Sequence, residues 1–184
     1  RTPAEREEGM RQLAKAFNAE GMTGLKDPGL DTAQWNSYRR VAAGGGLTVR
    51  VFALWLGGST RAWADELVRR IGPTTRPYES TGDDHLISGG IKLYIDGSGG
   101  ARTAWLYDDW NKNRTDTDAG NRGYPASNPD TIRMLIKLYH DDGLHVSVHS
   151  IGDRAIDWTV DSYAAALRAK PTRALRPGVI HAHI

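Results

Sequence analysis

Cysteine is absent from the 184-residue chain. That excludes disulfides, cysteine-ligated zinc and a thiol nucleophile, and it leaves the cellular compartment open. An excess of charge of either sign is lacking too: 24 basic residues against 22 acidic ones leave a net charge of +2. With no long Lys/Arg block, and despite a pI near 8.9, nothing points to nucleic acid or an anionic membrane as a partner. No apolar run approaches the ~20 residues of a membrane span, and no signal-peptide pattern opens the chain. The chain starts on Arg1 without a Met, runs straight into a helix and stops at Ile184 inside a strand pattern. We therefore expect a segment of a longer polypeptide, in which the lack of a targeting signal says little; a cytoplasmic location is favoured.

What is present is ordinary for a globular protein: 39% hydrophobic and 25% charged residues, with a mean hydropathy of -0.53. The length suits one sizeable core and is short for two. Thr2-Pro3-Ala4-Glu5 is a capping box with Pro in the first helical position, followed by the stripe Met10, Leu13, Ala14 and Phe17 and the stop Gly21. A short strand over 22–26 leads to a turn at Asp27-Pro28-Gly29. A helix over 32–43 ends at three glycines, and a strand over 47–55 follows. Ser59 is the expected cap of a helix carrying Trp63, Leu67 and Ile71. Residues 74–84 read as loop, 86–96 as strand, and 97–127 as a long irregular segment of the kind that is usually functional or mobile. Asn128-Pro129 starts a helix with Ile132, Leu135, Ile136 and Tyr139, and a strand over 144–149 follows. A helix over 154–169 shows Ile156, Val160, Tyr163 and Leu167, and the last strand begins after Pro177-Gly178. Strict alternation of this kind implies a mostly parallel sheet with right-handed crossovers. A (β/α) barrel explains more than a doubly wound sheet, because Gly97-Ser98-Gly99-Gly100 lacks both the phosphate-turn spacing and a helix behind it.

Three strands carry their ionisable side chains on one face. Ile91, Leu93 and Ile95 alternate with Lys92, Tyr94 and Asp96; Leu144, Val146 and Val148 alternate with His145, Ser147 and His149; Ile180, Ala182 and Ile184 alternate with His181 and His183. A strand has period two, so each run has one apolar face and one face bearing Lys, Asp or His. Histidines gathered near strand ends suggest a shared metal or acid–base site. Each also has a plainer explanation: His149 as a satisfied core histidine, His181 as part of a frayed end, and Lys92 with Asp96 as a buried ion pair. The six Trp residues read as packing, with Trp105 and Trp110 placed to cover a substrate. His85 and His140 read as surface residues.

Residues 90–104 (GIKLYIDGSGGARTA), 146–157 (VSVHSIGDRAID) and 176–184 (RPGVIHAHI) together resemble amidohydrolase family 3. This is a branch of the metal-dependent amidohydrolase superfamily that includes N-substituted formamide deformylases. Order and spacing agree, His149 lying 57 residues after Lys92 and His181 a further 32 on, and the resemblance spans nearly the whole chain. It implies an α/β fold, an incomplete TIM-type (β/α) barrel of parallel strands alternating with helices. In it Lys92, His149 and His181 are catalytic metal ligands on successive strands, with Lys92 carboxylated. Asp96, Arg102 and Tyr94 contact substrate together with the 97–103 loop, and Asp153 orients the turn after His149. The implied cofactor is a divalent metal, zinc by default, as one or two ions; iron, manganese or nickel would suit the same ligands. The implied substrate is a small amide or formamide, attacked by a metal-bound water of pKa near ~7, and a homo-oligomer is compatible with all of this.

The family's first-strand H-x-H and last-strand aspartate have no counterpart here, and Ile180 stands where an acidic residue precedes the sixth-strand histidine. Residues 1–184 are thus expected to be the central part of such a barrel, weakly active or inactive alone. Two alternatives belong to other classes. One is a non-catalytic small-molecule binding domain on a degenerate barrel, marked by an ion pair between Lys92 and Asp96. The other is a phosphate-binding α/β enzyme using residues 97–100, marked by a helix directly behind that loop.

Overall fold

Short capping motifs set where the helices begin. The computed structural model describes residues 2–75, 84–110 and 119–184; parts of the expected 74–84 and 97–127 loops lie outside the described residues. The elements run α1 (Pro3–Ala19), β1 (Gly24–Leu30), α2 (Thr32–Ala43), β2 (Arg50–Leu56), α3 (Arg61–Ile71), β3 (Leu86–Tyr94), α4 (Pro129–Asp141), β4 (Val146–Ser150), α5 (Asp153–Ala169) and β5 (Gly178–His181). At α1 the Glu5 amide donates to Thr2 Oγ1 at 3.2 Å while the Thr2 amide donates to the Glu5 carboxylate at 2.8 Å. Two otherwise orphaned donors are thereby satisfied. Asp31 and Gln34 repeat the device at α2, and the Asn128 side chain accepts from the amides of Asp130 and Thr131 at α4. The cap of α3 is Thr60, not the expected Ser59: Thr60 holds the extended cap conformation and accepts from Trp63 N.

The strands form one sheet in the order β1-β2-β3-β4-β5, with β1/β2 and β4/β5 parallel. Strand order that follows chain order without reversal is the winding of a TIM-type barrel; a doubly wound sheet reverses at a switch point. The expected turn at Asp27-Pro28-Gly29 is instead the second half of β1. Proline is tolerated there because β1 ends the sheet order, and the register shift between Pro28 and Leu30, with Gly29 at φ 128, absorbs the irregularity.

The described residues cluster in two compact units. The first holds α1, β1, α2, β2 and most of β3. Its core is Ala14, Leu30, Val41, Leu47, Val49, Val51 and Ala53, with Met10, Phe17, Leu25, Trp35 and Tyr38 packed around it. Trp55 Nε1 donates to Ser88 Oγ at 2.8 Å, so this indole is buried with its one donor satisfied.

The second unit holds α3, the end of β3, α4, β4, α5 and β5. Tyr139 is fully buried and donates its hydroxyl hydrogen to the Gly57 carbonyl. His140, expected at the surface, is buried, its Nε2 lying 2.8 Å from the Lys170 carbonyl. The buried stripe of α5 is Ala155, Thr159, Ser162, Tyr163 and Ala166, and Val160 is exposed. This differs from the expected apolar series because small side chains let the helix approach closely and their hydroxyls find partners, Thr159 with Ser150 Oγ at 2.8 Å and Ser162 with the Trp158 carbonyl at 2.6 Å. The long segment after β3 is folded back on itself where it is described. Leu106 N donates to Arg122 O and Trp110 N to Asn121 O, both at 2.8 Å, and Ala126 N returns to Ile95 O at 2.7 Å.

Candidate functional site

The site is built on the ends of β3, β4 and β5, all within the second unit. On β3, Lys92 is 2% exposed, and its ammonium lies 4.3 Å from the centroid of the Tyr94 ring, two residues along the same face. Burial lowers the Lys92 pKa to about 8, since a low-dielectric surround disfavours the charged form. Tyr94 is 42% exposed and forms a rim, its ring 5.2 Å from that of His149.

Asp96 does not pair with Lys92. Its side chain is fully enclosed, and its carboxylate accepts from Trp105 N at 3.0 Å, Gly152 N at 2.9 Å and Ile151 N at 3.1 Å. Its oxygens are thus taken up by backbone donors. Among the described residues, Lys92 has no carboxylate at ion-pair distance.

His149 points from β4 so that its Nε2 lies 2.6 Å from the Gly97 carbonyl and 3.5 Å from Asp96 Oδ1. A carbonyl only accepts, so Nε2 carries the proton and, in the neutral ring, Nδ1 keeps its lone pair. His181 reaches the same place by an irregularity. In the β4/β5 ladder His149 is opposite Ile180 and His181 is opposite Ser150. Regular alternation would therefore set His181 on the other face from His149. Instead His181 has φ 80 and Ala182 φ 49, left-handed values that swing the side chain back. The two rings meet edge-on at 4.7 Å, with His183 a further 5.9 Å from His181. The His181 pKa is lowered, first by burial and then by His149, Lys92 and His183, with Asp96 opposing.

The structure thus brings Lys92, Tyr94, His149 and His181 together. His145, the residue before β4, is a satisfied core histidine: Nδ1 lies 2.8 Å from the Leu175 carbonyl and Nε2 2.7 Å from Ser147 Oγ. Arg102 sits at φ 53 on the 97–103 loop, its carbonyl accepting from Asn121 Nδ2 at 3.1 Å. Asp153 Oδ1, at the start of α5, accepts from Arg154 N at 2.7 Å and from Tyr107 N at 3.0 Å, tying the long segment to the junction after His149. Trp105 is buried with its ring 6.1 Å from that of Trp158, and Trp110 Nε1 donates to Ala104 O. Residues 101–110 contain no helix, so the marker of a phosphate-binding loop is missing. Sequence reasoning passed over the Gly97 carbonyl, because a backbone group leaves no side-chain signal. The glycine itself was a clue: a Cβ there would lie 2.0 Å from Thr103 Oγ1.

Two imidazoles and an amine of lowered pKa are a donor set suited to a divalent transition metal. Among the described residues no three His, Cys, Asp or Glu side chains stand in metal-holding geometry.

The amidohydrolase family model matches residues 1–184. Protein LONG AFTER FAR-RED 3 of Arabidopsis thaliana is 33% identical over 97 residues, 53% of this chain and 16% of that protein. The Bacillus subtilis protein YtcJ, whose name marks it as a candidate amidohydrolase, is 26% identical over 148 residues, 80% of this chain and 24% of that one. Crystal structures of uncharacterized metal-dependent hydrolases from Pyrococcus horikoshii and Pyrococcus furiosus share the fold, each with a TM-score of 0.72 over 90% of this chain. Their identities are 21% and 24%, and the match covers 31% and 32% of those chains. The 184 residues span a quarter or less of the curated relatives and about a third of the solved structures.

Proposed function

The chain belongs to the amidohydrolase family, and on that footing we propose that it forms part of a metal-dependent hydrolase of carbon–nitrogen bonds in small amides or formamides. One observation supports this most: His149 and His181 meet at 4.7 Å beside a lysine whose charge is felt at His181, at the strand ends where barrel enzymes build their sites. When bound, a divalent ion, zinc by default, supplies a Lewis acid and a water of lowered pKa.

The chain's own residues do the rest. His149 presents Nδ1 and His181 an imidazole nitrogen as ligands. With its pKa lowered to about 8, Lys92 has more neutral amine than an exposed lysine at neutral pH. That amine attacks carbon dioxide: the N–C bond forms, a C–O π pair moves to oxygen, and the nitrogen's proton leaves to water. The carbamate so made is an anionic oxygen donor. Tyr94 and Arg102 flank the approach for substrate. The Lys92–Asp96 ion pair that would have favoured a non-catalytic binding domain does not form, because Asp96 is committed to backbone amides.

None of the three clustered residues is a carboxylate able to carry a proton from water to the leaving nitrogen. The 184 residues alone should therefore hydrolyse an N-formyl amine weakly or not at all while still holding metal. Elemental analysis of the purified chain tests this. One or two divalent ions per chain are expected, and none in folded variants of His149 or His181. A metal-free chain, or a metal content unmoved by those substitutions, would defeat the proposal.

A further inference from the structure

We propose that Asp96 is a positioning residue that fixes the tautomer and aim of His149, an inference that rests on the metal-centre reading above. The Asp96 side chain has no exposure to solvent, so it does not reach a substrate. Its oxygens instead gather three backbone donors from two places: Trp105 in the long segment after β3, and Ile151 and Gly152 in the junction between β4 and α5. Gly152 is the N-cap of α5 and offers no side chain of its own; its amide goes to the Asp96 carboxylate, while the amides of Arg154 and Ala155 in the first turn go to Asp153 Oδ1 and the Trp105 carbonyl. The next residue, Gly97, is thereby held with its carbonyl 2.6 Å from His149 Nε2, and Asp96 Oδ1 lies 3.5 Å from the same atom.

The clamp is closely fitted. A Cβ on Gly97 would lie 2.0 Å from Thr103 Oγ1, and one on Gly152 would lie 2.1 Å from the Trp105 carbonyl oxygen. Both acceptors facing Nε2 demand a proton there. Nδ1 is left with the lone pair, and it is the nitrogen turned away from the clamp. A ligand histidine generally donates its other N–H to a carboxylate or carbonyl, which fixes tautomer and orientation. Here one residue supplies the carboxylate and, through its successor, the carbonyl.

The test uses the metal-free chain labelled with nitrogen-15 at histidine, followed by zinc titration. Long-range proton–nitrogen correlation should show His149 of the wild type protonated at Nε2. Asp96→Asn is nearly isosteric but sets an amide N–H₂ against amide donors or against His149 Nε2–H. It should move His149 out of the pure Nε2–H form and weaken zinc binding by about 10- to 100-fold, with circular dichroism retained. A wild-type His149 protonated at Nδ1 overturns the proposal, and that result stands even if the variant does not fold. A folded Asp96→Asn chain with unchanged tautomer and unchanged zinc affinity overturns it equally. If wild-type chain fails to bind zinc while the tautomer still shifts in the variant, the metal-centre reading falls and the positioning role is upheld.

Discussion

His149 and His181 are out of step in the β4/β5 ladder, His149 facing Ile180 and His181 facing Ser150, yet their rings lie 4.7 Å apart. The meeting depends on two consecutive non-glycine residues, His181 at φ 80 and Ala182 at φ 49. A left-handed conformation disfavours an L-residue by about 1–2 kcal/mol. Strain of this kind is held where the surroundings over-determine it, commonly at functional sites.

If Ala182 is strained, glycine should relieve it. Ala182→Gly is expected to raise unfolding free energy by up to about 1 kcal/mol in urea titration, the lower conformational freedom of alanine in the unfolded chain offsetting part of the gain. A loss of stability would mean that the left-handed turn is not strained.

Lys92 should be a burden on folding. Lys92→Met keeps most of the stem and removes a buried cation, so it should stabilise the chain by about 1 kcal/mol at pH 7 while abolishing metal binding. The pH dependence follows from the folded pKa of about 8 against the ordinary 10.5. Between those values the unfolded chain binds more protons than the folded one, so wild-type stability rises with pH across the window, and below it the full penalty is present. Denaturation curves from pH 7 to 11 should show this rise in wild type and lose it in Lys92→Met. Parallel curves would place Lys92 in a water-like environment.

His145, one residue before β4, separates core from site. His145→Ala removes its contacts with the Leu175 carbonyl and Ser147 Oγ and should destabilise the chain by about 2–4 kcal/mol, with metal affinity of the folded fraction unchanged. Calorimetry with and without metal distinguishes the two effects. Altered affinity would bring His145 into the centre.

Gly152→Ala should be costly without touching any ligand. The added methyl would meet the Trp105 carbonyl oxygen at 2.1 Å, and a loss of about 3 kcal/mol is expected, with hydrogen exchange accelerated at Trp105 and Leu106. Near-neutral stability would show that the long segment yields easily.

Much of the fold was legible because its signals are local. Thr2 to Glu5 and Asn128-Pro129 mark helix starts through bonds that close within three residues. The strict α/β alternation carried the sheet order with it. The misplacements arose where distant partners decide. Asp27-Pro28-Gly29 continues a strand because β1 ends the sheet order. His140 is buried because the Lys170 carbonyl, 30 residues away, accepts a hydrogen bond from its Nε2.

The site shows the same division. Period-two patterning singled out Lys92 and His149, since each lies on a regular strand. For His181 alternation alone fails, since its face follows from a backbone torsion that composition does not encode. The shared face of His145, Ser147 and His149 also could not reveal that one histidine is satisfied within the core and another turned to the site. That difference lies in the Leu175 and Gly97 carbonyls, which have no side-chain signature.

Anomalous diffraction at the zinc edge, from crystals of the 184-residue chain grown with zinc and bicarbonate, tests the central claim most directly. A peak about 2.0–2.1 Å from His149 Nδ1 and from a ring nitrogen of His181, with Lys92 density extended toward it, is the predicted result. Ordered His149 and His181 with no anomalous peak between them, or a zinc bound elsewhere on the chain, would contradict the account.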